Sequence, residues 1–166
     1  MRYWKVGLFF LIAFVIQPTL LNVISIKGYT PNLILCLVIL FSFLYEEEMY
    51  GVVYGAVFGL LYDILYNDVL GPTPISLVII AIGILIIREY TNIENIVNMW
   101  AVSIGSILLY YFLNWGLCHL AGNPIGFRFV FNTVPWIALY SIVVITLLYL
   151  ILIRKKNRHH KDRYFK

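Results

Sequence analysis

The chain gathers its charges into clusters and leaves long apolar blocks between them, at about 4–26, 31–45, 49–66, 75–87, 95–120 and 134–153. This constrains the fold more than any motif does. At 1.5 Å per residue, a block near 20 residues covers a hydrocarbon core of about 30 Å, and a backbone inside lipid must satisfy its own hydrogen bonds, which selects helices. The blocks are apolar throughout, without the amphipathic alternation of a water-facing helix or a half-buried strand. With 62% hydrophobic and 12% charged residues, they predict an all-α integral membrane protein, a compact bundle of six transmembrane helices. Residues 1–153 form one domain, because the polar gaps are too short for a soluble one. Residues 154–166 remain as a basic tail.

Along the chain, Arg2 and Lys5 precede the first block as in a signal peptide, but no small-x-small cleavage site follows, so the helix is expected to be retained. Gln17 and Pro18 interrupt it. The proline predicts a kink, with Gln17 and Asn22 turned toward protein. Thr30 and Pro31 read as the start of span two, a capping hydroxyl followed by a first-turn proline. Glu46, Glu47 and Glu48 force the turn into span three. The run from Asn67 to Pro74 reads as a breaker cluster. It leaves span four short, at about 75–87. Thr91 and Glu94 have capping-box spacing ahead of span five. That span carries a small-residue face at Ser103, Gly105 and Ser106, and an interfacial mixture of Tyr110, Tyr111, Asn114, Trp115 and His119.

Six spans place both termini on one side, and the basic residues say which. With the termini cytoplasmic, Arg2, Lys5, Arg88, Arg154, Lys155, Lys156, Arg158, Lys161, Arg163 and Lys166 lie inside, and only Lys27 and Arg128 outside. Odd span numbers scatter this asymmetry. The tail is too short and too near the membrane to suggest nucleic-acid binding. Arg154, Lys155, Lys156 and Arg158 serve orientation and suit contact with anionic lipid, at about 1 kcal/mol per basic residue. Cys36 and Cys118 lie within apolar blocks and read as small hydrophobes.

Span three holds the sharpest pattern. Gly51, Gly55, Gly59 and Asp63 recur every fourth residue, and each step drifts only about 40° around a helix, so they trace one slowly winding stripe. Glycine costs a helix about 1 kcal/mol per residue in water, and in lipid its usual use is close backbone approach. The stripe therefore seats either a helix of the same bundle or a partner's helix, and it marks span three as the packing hub. The partner reading pictures a groove between the glycine face and the short span four.

Asp63 is the only carboxylate within a span, and at the outer end of span three it could be solvated, paired with Arg128 or Lys27, or matched with His119 as acid and base. No H-E-x-x-H, G-x-S-x-G or glycine-rich phosphate loop accompanies it. No enzyme, cofactor or metal is expected. A transporter reading has Pro18 and residues 71–74 in its favour as helix breaks, but no internal repeat.

The size, the six spans, Pro31-Asn32-Leu33-Ile34-Leu35, the run Gly55, Gly59, Leu60, Leu61, Tyr62, Asp63, and Leu70-Gly71 beyond it together resemble the bacterial rod shape-determining protein MreD family. The match is most specific over residues 31–90. The resemblance implies a non-enzymatic subunit of the cell-elongation machinery in the inner membrane, working with a single-span MreC-like partner, MreB filaments and peptidoglycan synthases. Its pattern covers Pro31, Gly55, Gly59, Asp63 and Gly71. It also implies a fold like the substrate-binding subunits of energy-coupling-factor vitamin transporters, and hence the alternative of a small-molecule or lipid binding subunit. The triple glutamate and the long basic tail are not features of that pattern.

Overall fold

The computed structural model describes residues 3–23, 30–45, 49–92, 95–122 and 126–164, with side chains except at 20–23, 127–130 and 154–164. Six helices and no strand occur among the described residues: α1 (Tyr3–Val23), α2 (Leu33–Leu44), α3 (Tyr50–Tyr66), α4 (Pro72–Arg88), α5 (Ile96–Leu120) and α6 (Phe127–Tyr164). Two segments, Ile96–Leu120 and Phe131–Ile153, are long and apolar enough to cross a membrane, while Tyr3–Thr19, Leu33–Leu44, Tyr50–Tyr66 and Pro72–Arg88 are shorter apolar helices.

The centre of the bundle is α2. It packs against all five other helices, which follow one another around it as α1, α3, α4, α5 and α6, with no backbone packing between α6 and α1 among the described residues. Every side chain from Ile34 to Leu44 is buried, and a helix that is apolar all round is stable only where protein surrounds it. At 12 residues it is about 18 Å long. The glycine helix α3 makes the most extensive helix pair, with α4, and also packs on α2 and α1, as expected of a packing hub, but it is buried along one face only, so the central position falls to α2.

Several helix boundaries also differ from expectation. Span two starts at Asn32 rather than Thr30, since the Asn32 Oδ1 accepts from the Leu35 N–H at 3.0 Å. Span four is longer than expected, because Pro72 and Pro74 form its first turn. Their missing N–H groups are not needed there. Asn95 caps α5 through the Val97 N–H at 2.9 Å, and the Thr91 hydroxyl instead donates back to the Ile87 carbonyl at the end of α4. The helix α6 continues through Tyr164, so the basic tail extends the last span. Pro18 lies within α1 and Gln17 is buried. The Lys27 loop, Glu46 to Glu48 and Glu94 fall outside the described residues, as does the Asn22 side chain.

An aromatic cluster locks α1 onto α2 and α3. Phe10 lies 5.8 Å from Phe41 and stacks on Tyr54 and Phe58 at 5.2 and 5.6 Å, and the Tyr54 hydroxyl donates to the Tyr3 carbonyl at 2.8 Å. Across the bundle the Trp100 indole N–H donates to Thr146 at 3.0 Å, tying α5 to α6. The outer faces are as apolar as the interior: Leu60, Ile64, Ile79, Ile86, Leu108, Phe112, Leu139 and Leu147 are all exposed. A continuous apolar exterior of this kind is unsuited to water and suited to lipid.

Candidate functional site

The glycine stripe of α3 faces inward, and its slow winding carries it from one neighbour to the next. A Cβ on Gly51 would run into the Ser42 hydroxyl and approach the Val38 carbonyl of α2 to 3.0 Å. At Gly55 it would touch Val38 of α2 at 3.3 Å and Leu77 of α4 at 3.4 Å. At Gly59 it would sit 2.8 Å from the Pro74 Cα and 3.0 Å from the Leu77 Cδ1. The two steps of about 40° from Gly51 to Gly59 turn the stripe by about 80°, enough to pass it from α2 to α4. The chain's own α2 and α4 fill this face, so the pictured partner groove on it gives way to an internal contact.

The stripe ends on Asp63, which is fully buried. Its Oδ2 accepts the Gly71 N–H at 2.8 Å and the Thr73 N–H at 3.2 Å, and its Oδ1 accepts from the Asn67 side-chain amide at 2.6 Å. It thus caps the N-terminus of α4 from a neighbouring helix. Gly71 and Pro72 supply no capping side chain of their own, and the open N–H groups and positive dipole end of a helix favour a carboxyl oxygen there. Gly71 makes the approach possible with φ +113°, a conformation other residues resist.

A small polar layer extends from this cap. Asn67 also donates to the Thr73 hydroxyl at 3.2 Å, and Asn114 of α5 reaches the same oxygen at 3.5 Å. The Cys118 thiol lies 3.7 Å from the Asn114 carbonyl oxygen, and Asn32 donates to the Tyr110 hydroxyl at 3.4 Å. The ends of α2, α3, α4 and α5 are joined in this way. Asn67 and Thr73 escaped the sequence reading. Their signal was the placement of Asn67 four residues after Asp63 and of Thr73 between the two prolines of a helix start.

The remaining candidates lie elsewhere. His119 is exposed and stacks on Trp115 at 5.8 Å. The imagined acid–base pair with Asp63 is not formed: Asp63 Oδ2 is taken by the α4 N–H groups and Oδ1 by the Asn67 amide. Pro31 is buried immediately before the Asn32 cap. The side chains of Arg128, Arg154, Lys155, Lys156 and Arg158 fall outside the described residues. Cys36 is a buried free thiol 3.9 Å from the Ser141 carbonyl of α6. No group of three or more His, Cys, Asp or Glu side chains suited to a metal occurs among the described residues. Chemically, the arrangement binds helices to one another.

Residues 1–155 match a protein-family model described as rod shape-determining protein MreD. No curated protein and no solved structure matches the chain.

Proposed function

Because the chain belongs to the rod shape-determining protein MreD family, we propose that it is a multi-pass, non-enzymatic scaffold of the cell-elongation machinery in the bacterial inner membrane. In this reading all six helices are embedded, both termini are cytoplasmic, and the chain holds a single-span MreC-like partner. Through that partner and MreB filaments it helps position peptidoglycan synthases, while Arg154, Lys155, Lys156 and Arg158 rest on anionic lipid.

The supporting observation is the use made of Asp63. The one carboxyl group within a span, the first place to look for catalysis or ion coupling, is spent on holding α3 to α4. The reading is tested by co-expressing the chain with its MreC-like protein and measuring recovery of the pair, and then by the Asp63→Asn variant. A scaffold loses folded protein and rod shape together. An enzyme keeps normal levels of folded protein and loses only its activity.

The alternative, a small-molecule or lipid binding subunit like those of vitamin-uptake transporters, has one feature in its favour. An apolar groove of about 500 Å³ lies between α5 and α6, lined by Leu108, Phe112, Trp115, Phe131 and Val134. Thermal-shift screening with vitamins and wall-precursor lipids separates the two, since a specific ligand raises the melting point by mass action.

A further inference from the structure

The walls of the groove between α5 and α6 continue past its apolar lining. On α5 the lining residues Leu108, Phe112 and Trp115 follow the i, i+4, i+7 register of one helical face. His119 takes the next place on that face, exposed and stacked on Trp115 at 5.8 Å. On α6 the lining residues Phe131 and Pro135 are preceded in the same way by Arg128, at i, i+3 and i+7. Each wall therefore reaches a base one turn beyond its last aromatic residue. The first turn of α6 brings its open N–H groups and positive dipole end to the same place.

This combination selects an occupant. No glycine, alanine or serine lines the groove, and without small residues a second helix cannot bring its backbone close. Tyr111, Phe112, Trp115 and Phe131 instead offer flat apolar faces to a slender hydrocarbon chain. From Leu108 to Trp115 the groove runs about 10 Å, inside the depth of one leaflet of a core about 30 Å thick. The two bases call for an anionic head, as basic pockets between transmembrane helices do. A zwitterionic head would bring an amine that finds no carboxylate, since Asp63 caps α4 and Asp68 lies in the α3–α4 connection.

We propose that the α5–α6 groove holds one anionic phospholipid of the outer leaflet, a hydrocarbon chain lying between the aromatic walls and the headgroup phosphate at the level of His119, Arg128 and the first turn of α6. The leaflet follows from the orientation proposed above. This is a resident lipid of the chain alone, held with or without a partner protein, so it stands whether or not the scaffold reading does. It is also separate from the lipid contact of the basic tail, at the opposite end of α6.

The test strips the detergent-purified full chain of lipid, offers it phosphatidylglycerol or phosphatidylcholine of identical chains, and counts bound lipid by native mass spectrometry. One phosphatidylglycerol per chain is expected, retained roughly fivefold or more above phosphatidylcholine, the factor that one basic residue near an anionic headgroup contributes. His119→Gln with Arg128→Gln removes that preference and leaves the melting of the lipid-free chain unchanged. Leu108→Trp, which fills the groove from a half-exposed position, lowers retention of both lipids. The tail also attracts anionic lipid, so the same losses are required in a chain carrying Arg154→Gln, Lys155→Gln, Lys156→Gln and Arg158→Gln. Should the double variant fail to fold, phosphatidylglycerol with a photoreactive chain replaces it, and cross-links confined to 108–115 and 131–135 are expected. Equal retention of phosphatidylglycerol by wild type and double variant, equal retention of the two lipids by wild type, cross-links spread over the other apolar faces, or conversion of a wild-type dimer to a monomer by Leu108→Trp overturns the assignment. So does an isoprenoid phosphate as the one lipid carried through purification from native membranes.

Discussion

Asp63 shows how one buried polar group is made tolerable. Two backbone N–H groups and one side-chain amide converge on its two oxygens, at the end of α4 whose dipole favours them. Asp63→Asn replaces one acceptor oxygen with a donor, leaving either Asn67 or the α4 N–H groups facing a like partner. We expect a loss of about 1–3 kcal/mol, the cost of an unsatisfied buried group, seen as a lower melting midpoint in detergent. An unchanged midpoint would remove the capping role. The sequence made Asp63 conspicuous but hid its partners, because Gly71 and Thr73 bind through the backbone, eight and ten residues downstream, and backbone amides leave no residue-type signature.

At the scale of elements, the helices were legible from hydropathy and the packing role of α3 from its glycine register, but the central place of α2 was not. Glycine periodicity drew attention to α3, whereas the central helix, α2, has no periodicity to show. Its uniform greasiness was the available signal, since burial on every side demands it. The prolines at 72 and 74 were read as breakers because a loop and a helix's first turn tolerate proline equally. Two predictions belong here. Asn32→Ala removes both the Leu35 cap and the Tyr110 contact and lowers stability by about 1–2 kcal/mol in thermal unfolding. Met49 caps α3 at φ +44° and is half exposed, so Met49→Gly relieves a left-handed backbone costing about 1–2 kcal/mol. Against this, glycine's added freedom in the unfolded chain takes back up to about 1 kcal/mol. A midpoint at or slightly above wild type is the expected outcome.

Among the described residues the molecule is an open ring of five helices around a sixth, apolar in its core and on its outer faces. Its proposed orientation follows from ten basic residues on one side against two on the other. In a chain lacking Cys36 and Cys118, Gly122→Cys in the α5–α6 connection should react with a membrane-impermeant thiol reagent in intact spheroplasts, and a cysteine at Lys166 only after lysis. The reverse pattern contradicts the orientation. What integrates the ring is the α3 ridge, where bare backbone lets α2 and α4 close in. The most direct test is the melting midpoint of Gly59→Ala beside wild type in the same detergent. The new methyl would lie 2.8 Å from the Pro74 Cα, and overpacking of about 1–3 kcal/mol should outweigh the gain in helix propensity of about 1 kcal/mol, lowering the midpoint. A midpoint equal to or above that of wild type would contradict the account.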